Sequence, residues 1–375
     1  MKKRSNFIIA VFALIGTIIG SGFLGLPYVI GKSGFSLGML NLALIALIMV
    51  IAMLYLGEIT LRTNATHQLP GYAEKYLGKF GKKAMFLATS FGVYAALVAY
   101  LIAEGESISY LIFGTTQYKI YMSFLFWIVM SLISYSGLKA MKKGGPWGII
   151  LMFVMTITVS ILLFNKVDSR NFEYYNIKEF LTPFGVIIFA FLGFTAIPEM
   201  RRILHAEKSL LKSSIITAYA ISFTVYALFV FFVLGSQGKN TPEIATIALG
   251  VPFIILAMVT MFNAYLAHSV AMADIFVFDF NKKRKLAWLY TVSIPIIMLI
   301  LLSVFNKASF TTVMSIGGVI SGGFTATLIF LMVKKAKLQG DRKPEYSIGY
   351  SETLIRFLII IFAIATIFQI KNLIS

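Results

Sequence analysis

Gly16-Thr17-Ile18-Ile19-Gly20-Ser21-Gly22-Phe23-Leu24-Gly25-Leu26-Pro27-Tyr28 lies inside an apolar run, Phe7 to Ile30, long enough to cross a hydrocarbon core of about 30 Å. Gly weakens helix propagation by about 1 kcal/mol and Pro by about 3 kcal/mol, so this cluster predicts a helix broken near mid-membrane. A second apolar run carries Gly185 and then Gly193-Phe194-Thr195-Ala196-Ile197-Pro198. Gly, Phe, an aliphatic residue and Pro recur there in the same register, at an offset of 171 residues. One such cluster reads as close helix packing with a proline kink. Two at corresponding places read as paired breaks. Breaks leave backbone groups unpaired, which the bilayer tolerates only where a partner, water or a substrate satisfies them.

Working outward, apolar runs recur at Leu37 to Leu61, Ala84 to Phe113, Tyr121 to Leu138 and Trp147 to Asn165. Thr182 to Met200 holds the second cluster. Ser213 to Gly235, Val251 to Phe278, Leu286 to Phe305, Phe310 to Val333 and Thr353 to Ile370 follow. The expected fold is therefore an all-α polytopic membrane protein of about eleven spans, with residues 1–375 as a single transmembrane domain. The offset maps span three onto 255–284 and span five onto 318–336, so two five-helix units fit, at 7–165 and 182–333. Five is odd, so the second unit enters the membrane from the opposite side, an inverted repeat with the helix at 353–370 added.

Lys and Arg alternate between loops. About 25 of the 33 fall on one side: Lys2 to Arg4, Arg62 to Lys83, Lys139 to Lys143, Arg201 to Lys212, Lys282 to Lys285 and Lys334 to Arg356. This pattern predicts a multi-pass protein of the cell membrane with a cytoplasmic N-terminus and an extracellular C-terminus. The formal charge of +18 is thus a topology signal rather than a nucleic-acid surface, although a lipid headgroup at Asn281 to Lys285 is an alternative use of that loop. With 59% hydrophobic and 13% charged residues, no soluble domain is expected. The absence of Cys excludes disulfides and thiolate chemistry, and three His leave little for a metal centre. No HExxH or GxSxG motif and no paired catalytic carboxylates occur, so neither an enzyme nor a cofactor is expected. Between spans two and three, Pro70 to Lys83 carries Tyr72, Ala73, Tyr76, Leu77 and Phe80 at roughly helical spacing and is expected to lie along the interface. Lys166 to Lys178 and Ser236 to Ala248 are candidate lids.

The stretch from Gly16 to Tyr28 resembles the first helix of the amino acid/auxin permease family, within the amino acid, polyamine and organocation superfamily. Phe189-Ala190-Phe191-Leu192-Gly193-Phe194-Thr195-Ala196-Ile197-Pro198-Glu199 resembles its sixth. The resemblance implies the five-plus-five fold shared with bacterial leucine transporters, alternating access in a monomer, and amino-acid substrates driven by protons or Na⁺. Physical reasoning assigns compatible roles, because a zwitterion needs N–H donors for its carboxylate and acceptors for its ammonium. The N–H groups around Gly20, Ser21 and Gly22 are the expected carboxylate site. As the resemblance implies, the carbonyls of Ile18, Phe189, Ala190 and Phe191 face the ammonium. Tyr94, Tyr100, Phe191 and Phe194 are candidates to close over the substrate. Gly193 and the glycines 317, 318, 322 and 323 leave room for a neutral side chain, large or aromatic.

In Na⁺-dependent relatives with this fold, carbonyls of span one and hydroxyls of span eight hold the cation. The matching carbonyls are those of Gly16 and Ile19. On span eight, Ala267 and His268 stand where hydroxyls are expected, so an imidazolium at His268 becomes the candidate for proton coupling. A one-residue slip brings in Ser269 and revives Na⁺. A neutral histidine bonded within the bundle is the structural alternative. Of the other charges at membrane depth, Glu58 is expected to pair with Arg62 at four-residue spacing. Glu199 is expected to pair with Arg202 or gate the inner path. Asp274 approaches the interface, and Glu104 and Glu106 line an outer vestibule or bind a cation. Against a carrier stand a channel, which lacks a selectivity-filter sequence here, and an amino-acid sensor, for which the short basic loops offer little.

Overall fold

The computed structural model describes residues 2–135, 147–278 and 280–374. Lys139, Lys142 and Lys143, and the end of span four at Leu138, lie outside them. Among the described residues, seven helices are long and apolar enough to cross a bilayer. They are spans two (Phe35–Arg62), three (within Leu69–Phe113), seven (Leu211–Gln237), eight (Val251–Phe278), nine (Arg284–Val304), ten (310–339) and eleven (Glu352–Ile374). Spans four and five are the shorter helices Lys119–Tyr135 and Trp147–Leu163, extended in the second case by a 3₁₀ turn.

The first and sixth spans are each broken. Span one runs as Lys2–Ile18, a 3₁₀ turn Ser21–Gly25, and Leu26–Ser33, with a 48° bend. Span six is Phe184–Ala190, an irregular stretch at 191–195, and Ala196–Ile203. Pro27 and Pro198 do not sit at the breaks. Both lie in the first turn of the second half-helix, where the missing N–H costs nothing. The spans expected from the repeat offset appear at Val251–Phe278 and 310–339. Among the described residues, five spans, five repeat-related spans and an eleventh helix form the bundle.

The two breaks meet at the centre. A Cβ on Gly22 would lie 2.8 Å from the Ala190 Cα, so only glycine lets the two backbones touch. Span ten is pressed onto span six in the same way. Cβ atoms on Gly318 and Gly322 would strike Gly185 and Ile188 of span six, and a Cβ on Gly317 would meet Ala95 of span three at 2.7 Å. The room expected at these glycines is therefore filled by neighbouring helices, because small side chains in membranes draw backbones together. Their stretch, Gly318–Gly323, is wound as a π-helix, which interrupts span ten where it crosses span six.

Loops brace both ends of the bundle. The interfacial helix is continuous with span three except at Gly78, whose φ of 78° turns the chain. Its buried face is Leu69, Tyr72, Ala73 and Tyr76, whereas Phe80, expected on that face, is exposed. Arg201, in the second half of span six, is 5% exposed and donates to the carbonyls of Thr63 (2.6 Å), Asn64 and Ala65 and to the Tyr72 hydroxyl. The guanidinium thus caps the C-terminal end of span two, where carbonyls lack helical partners. Glu58 pairs with Arg62 as its spacing predicts and also with Lys337 (2.7 Å), while the Ile348 N–H and Ser347 hydroxyl donate to it. This buried network ties the segment after span ten to span two. At the opposite end, the 3₁₀ turns of residues 164–179 pack over spans one, two and seven, with Asn176 N–H donating to Ser33 O and Asn41 Nδ2 to Phe180 O. Glu243 accepts from Ser309 Oγ at the start of span ten, where a carboxylate is stabilised by the helix N-terminus.

Candidate functional site: a cavity at the paired breaks

A cavity lies beside the two breaks, with about 680 Å³ of open space including its mouth. Span one contributes Thr17, Ile18, Gly20, Ser21 and Gly22. Span six contributes Phe189 and the irregular stretch Leu192, Gly193, Phe194 and Thr195. Thr89, Gly92, Val93, Ala96 and Tyr100 come from span three, His268 from span eight, and Ser321 and Thr325 from span ten. Leu69 of the interfacial helix lines it as well. On span three the lining stops at Tyr100 and continues only towards Thr89, so the cavity extends to the end of the bundle that carries Arg62 and Lys75. Beyond Tyr100, Glu104 and Ser107 are buried, and the opposite end is covered.

The chemistry of the walls follows from how each break is satisfied. Gly20 N–H donates to Ile18 O (3.0 Å) and is consumed locally. Ser21 and Gly22 open the 3₁₀ turn, and the first N–H groups of a helix have no acceptor within it. Both residues line the cavity, so it is bordered by helix-terminal donors suited to an anion. The Ser21 side chain is buried beside the Tyr100 hydroxyl. Tyr100 stands over this edge, its hydroxyl 3.1 Å from where a Gly20 Cβ would sit.

The expected acceptors divide. Ile18 and Phe189 line the cavity, but Ala190 and Phe191 do not. Tyr226 of span seven donates its hydroxyl to both Ile18 O (3.1 Å) and Ala190 O (2.8 Å), and Tyr219 donates to Phe191 O (2.8 Å). Phe191 is fully buried and stacks on Tyr219, so it packs rather than closes over a ligand. Tyr94 likewise turns away, its hydroxyl reaching Tyr290 O on span nine. The two tyrosines of span seven are seven residues apart and share one helix face. In a Phe-rich span that spacing reads as packing, and nothing in the sequence ties their hydroxyls to the breaks.

The residues expected for ion coupling are not gathered at one point. Gly16 is exposed and Ile19 is buried off the cavity. Ser269 is buried with its Oγ unpartnered and lines a separate cavity with Tyr135, Arg284 and Trp288. His268 alone of the four reaches the central cavity. Its Nδ1 is 2.8 Å from Ala264 O on its own helix, and its ring lies edge-on to Tyr100 with centroids 5.7 Å apart. Among the other charges, Glu106 pairs with Lys119 (3.6 Å), Asp274 pairs with Arg284, and Glu199 is exposed without an ion pair to Arg202. Among the described residues, no group of three or more His, Cys, Asp or Glu is arranged to hold a metal.

Residues 3–250 match the tryptophan/tyrosine permease family. Among solved structures, the chain is similar to the crystal structure of MhsT in complex with L-phenylalanine. The TM-score is 0.64 at 16% identity, over 97% of this chain and 98% of that one. No curated protein sequence matches.

Proposed function

From the premise that the chain belongs to the tryptophan/tyrosine permease family, and is thus a multi-pass amino-acid transporter, we propose that it carries aromatic amino acids by proton-coupled alternating access. The observation that carries this reading is the cavity at the paired breaks, where backbone donors of Ser21 and Gly22 face a space walled by Tyr100, Phe189 and Phe194. The donors suit a carboxylate. The apolar and aromatic walls suit a ring-bearing side chain. Phenylalanine bound to MhsT, a protein of the same fold, supports this substrate class. So does the likeness of spans one and six to the amino acid/auxin permeases.

The carbonyl of Phe189 and the hydroxyls of Thr195, Ser321 and Thr325 on the cavity wall are the acceptors we assign to the substrate ammonium, since Ile18 O already accepts from Gly20 N–H and Tyr226. By the distribution of Lys and Arg, the cavity faces the cytoplasm in a cell membrane, with the N-terminus inside and the C-terminus outside. Protons are favoured over Na⁺ by the placement of Ser269, the only hydroxyl in the stretch from Ala267 to Ser269, away from span one. His268, with Nδ1 committed to Ala264 O, has Nε2 left for exchange with the cavity.

Uptake of radiolabelled tryptophan, tyrosine and phenylalanine into proteoliposomes tests this directly. Saturable accumulation under an inward proton gradient, competed by all three, is the expected result. Accumulation that strictly requires Na⁺ would replace the coupling ion, and gradient-independent flux would indicate a channel instead.

A further inference from the structure

Glu104 is 1% exposed, and its Oε1 has no hydrogen-bond partner. It lies on span three, one helical turn from Tyr100 and on the same face, on the side of Tyr100 away from the cavity. A bare carboxylate sealed in such surroundings is strongly disfavoured, and a protonated carboxyl is the form a closed bundle accepts. The other titratable groups around this part of span three include Glu106, with Glu243 near it, Tyr265 and His268. Glu106, on a different face, pairs with Lys119 of span four. Tyr265 of span eight is buried with an unpartnered hydroxyl. His268 of span eight borders the cavity and touches Tyr100 edge-on. No cation in the described ion pairs answers Glu104.

Resting on the proton-coupled reading above, we propose that Glu104 is the outer loading station of a proton path that continues through Tyr100 to His268. When the outer half of the bundle opens, the hydrated carboxylate takes one proton from the external water. The outer half closes readily only over the neutral acid, which makes proton uptake a condition of exposing the substrate to the inside. The proton then passes to the neutral imidazole of His268, with the Tyr100 hydroxyl accepting one proton as it gives up its own. The imidazolium releases it to the water of the inner cavity and becomes neutral again. The carboxylate left behind in the sealed half favours reopening to the outside, which drives the return stroke. One proton enters and one leaves per cycle, and no other reactant is consumed.

The test uses the full chain in proteoliposomes, with L-tryptophan as probe. Two assays are compared, accumulation under an imposed inward pH gradient and counterflow exchange without a gradient. Glu104→Gln, which mimics the protonated acid, is expected to retain counterflow within about twofold and to lose at least about tenfold in pH-driven accumulation. Its initial rate should no longer depend on external pH. Wild-type accumulation that ignores the pH gradient would remove the proton reading as a whole. A pH-driven wild type with an equally pH-driven E104Q would overturn the assignment of Glu104 alone. Should E104Q also lose counterflow, Glu104→Asp decides. Recovery of pH-driven accumulation with a shifted external pH dependence supports the loading station, and behaviour identical to E104Q refutes it.

Discussion

At the break of span one, Ser21 and Gly22 bring helix-terminal N–H groups to the cavity wall. At the break of span six, the carbonyls of Ala190 and Phe191 are bonded to tyrosines of span seven inside the protein. The second half of span six is also held to span two by Arg201, whereas the cavity-facing end of the first half of span one, at Thr17, is exposed. The two breaks share a sequence signature, yet at one the helix-terminal donors border the cavity and at the other two carbonyls are bonded to protein. Repeat symmetry therefore predicts where backbone is freed but not what satisfies it. Each freed group takes whichever partner the neighbouring helices bring near, because an unpaired polar group in the membrane costs several kcal/mol.

The largest way to break this comparison is at the contact between the breaks. Gly22→Val would push a branched side chain into the Ala190 backbone and is expected to lower uptake by ~100-fold with membrane insertion intact, since misplacing a positioning group by about 1 Å costs that much. Gly20→Ala, which meets only the end of the Tyr100 side chain, should do less. Uptake normalised to the amount of inserted protein checks both. Normal affinity in Gly22→Val would show that the donors of span one do not bind substrate.

A second test separates protein-satisfied from ligand-satisfied carbonyls. Tyr226→Phe deprives Ile18 O and Ala190 O of their shared donor and is expected to destabilise the protein by about 1–3 kcal/mol, read as a lower Tm in detergent. Tyr219→Phe, which frees one carbonyl, should cost less. If saturating substrate restores the Tm of Tyr226→Phe but not of Tyr219→Phe, the Ile18 carbonyl is within the ligand's reach.

Smaller still is the expected effect of the prolines that first drew attention to the breaks. Pro198→Ala alone should change stability by less than about 1 kcal/mol and leave transport near wild type, because a first-turn proline breaks no hydrogen bond. Transport abolished by that single change would mean that Pro198, and not the stretch at 191–195, shapes the break.

The smallest effect serves as a control away from both breaks. Asp341, after span ten, pairs with Lys75 of the interfacial helix and accepts from the Asn64 N–H. The Lys75 ammonium, then that N–H, hold its carboxyl below the ordinary Asp range. A folded-state pKa below the unfolded one gives a contribution that is complete above the ordinary range and lost as pH falls through it into the acid. This surface pair should therefore shift thermal stability only slightly, and only at acid pH. Asp341→Asn should flatten that part of the Tm–pH curve and leave uptake at neutral pH unchanged.

The spans, the two breaks and the inverted repeat were legible in the sequence because each is encoded locally. Span length is set by bilayer thickness, breaks by Gly clusters, and the repeat by a shared register of Gly, Phe and Pro. The cavity edge at Gly20, Ser21 and Gly22 followed from the same local signals. The Glu58–Arg62 pair did too, because one helix turn places both side chains together. Rotation of one helix against another was not legible. Whether Ser269 faces span one or the separate cavity beside Tyr135 and Arg284, whether Ala190 O meets an ammonium or Tyr226, and whether the glycines of span ten open a pocket or close a contact each turn on a few degrees of helix rotation. A mostly apolar helix carries no strong preference for which side faces lipid and which faces protein. In this protein those rotations are decided by side chains far apart in the chain, such as Gly22 against Ala190 and Arg201 against Thr63, which only the folded bundle brings into contact.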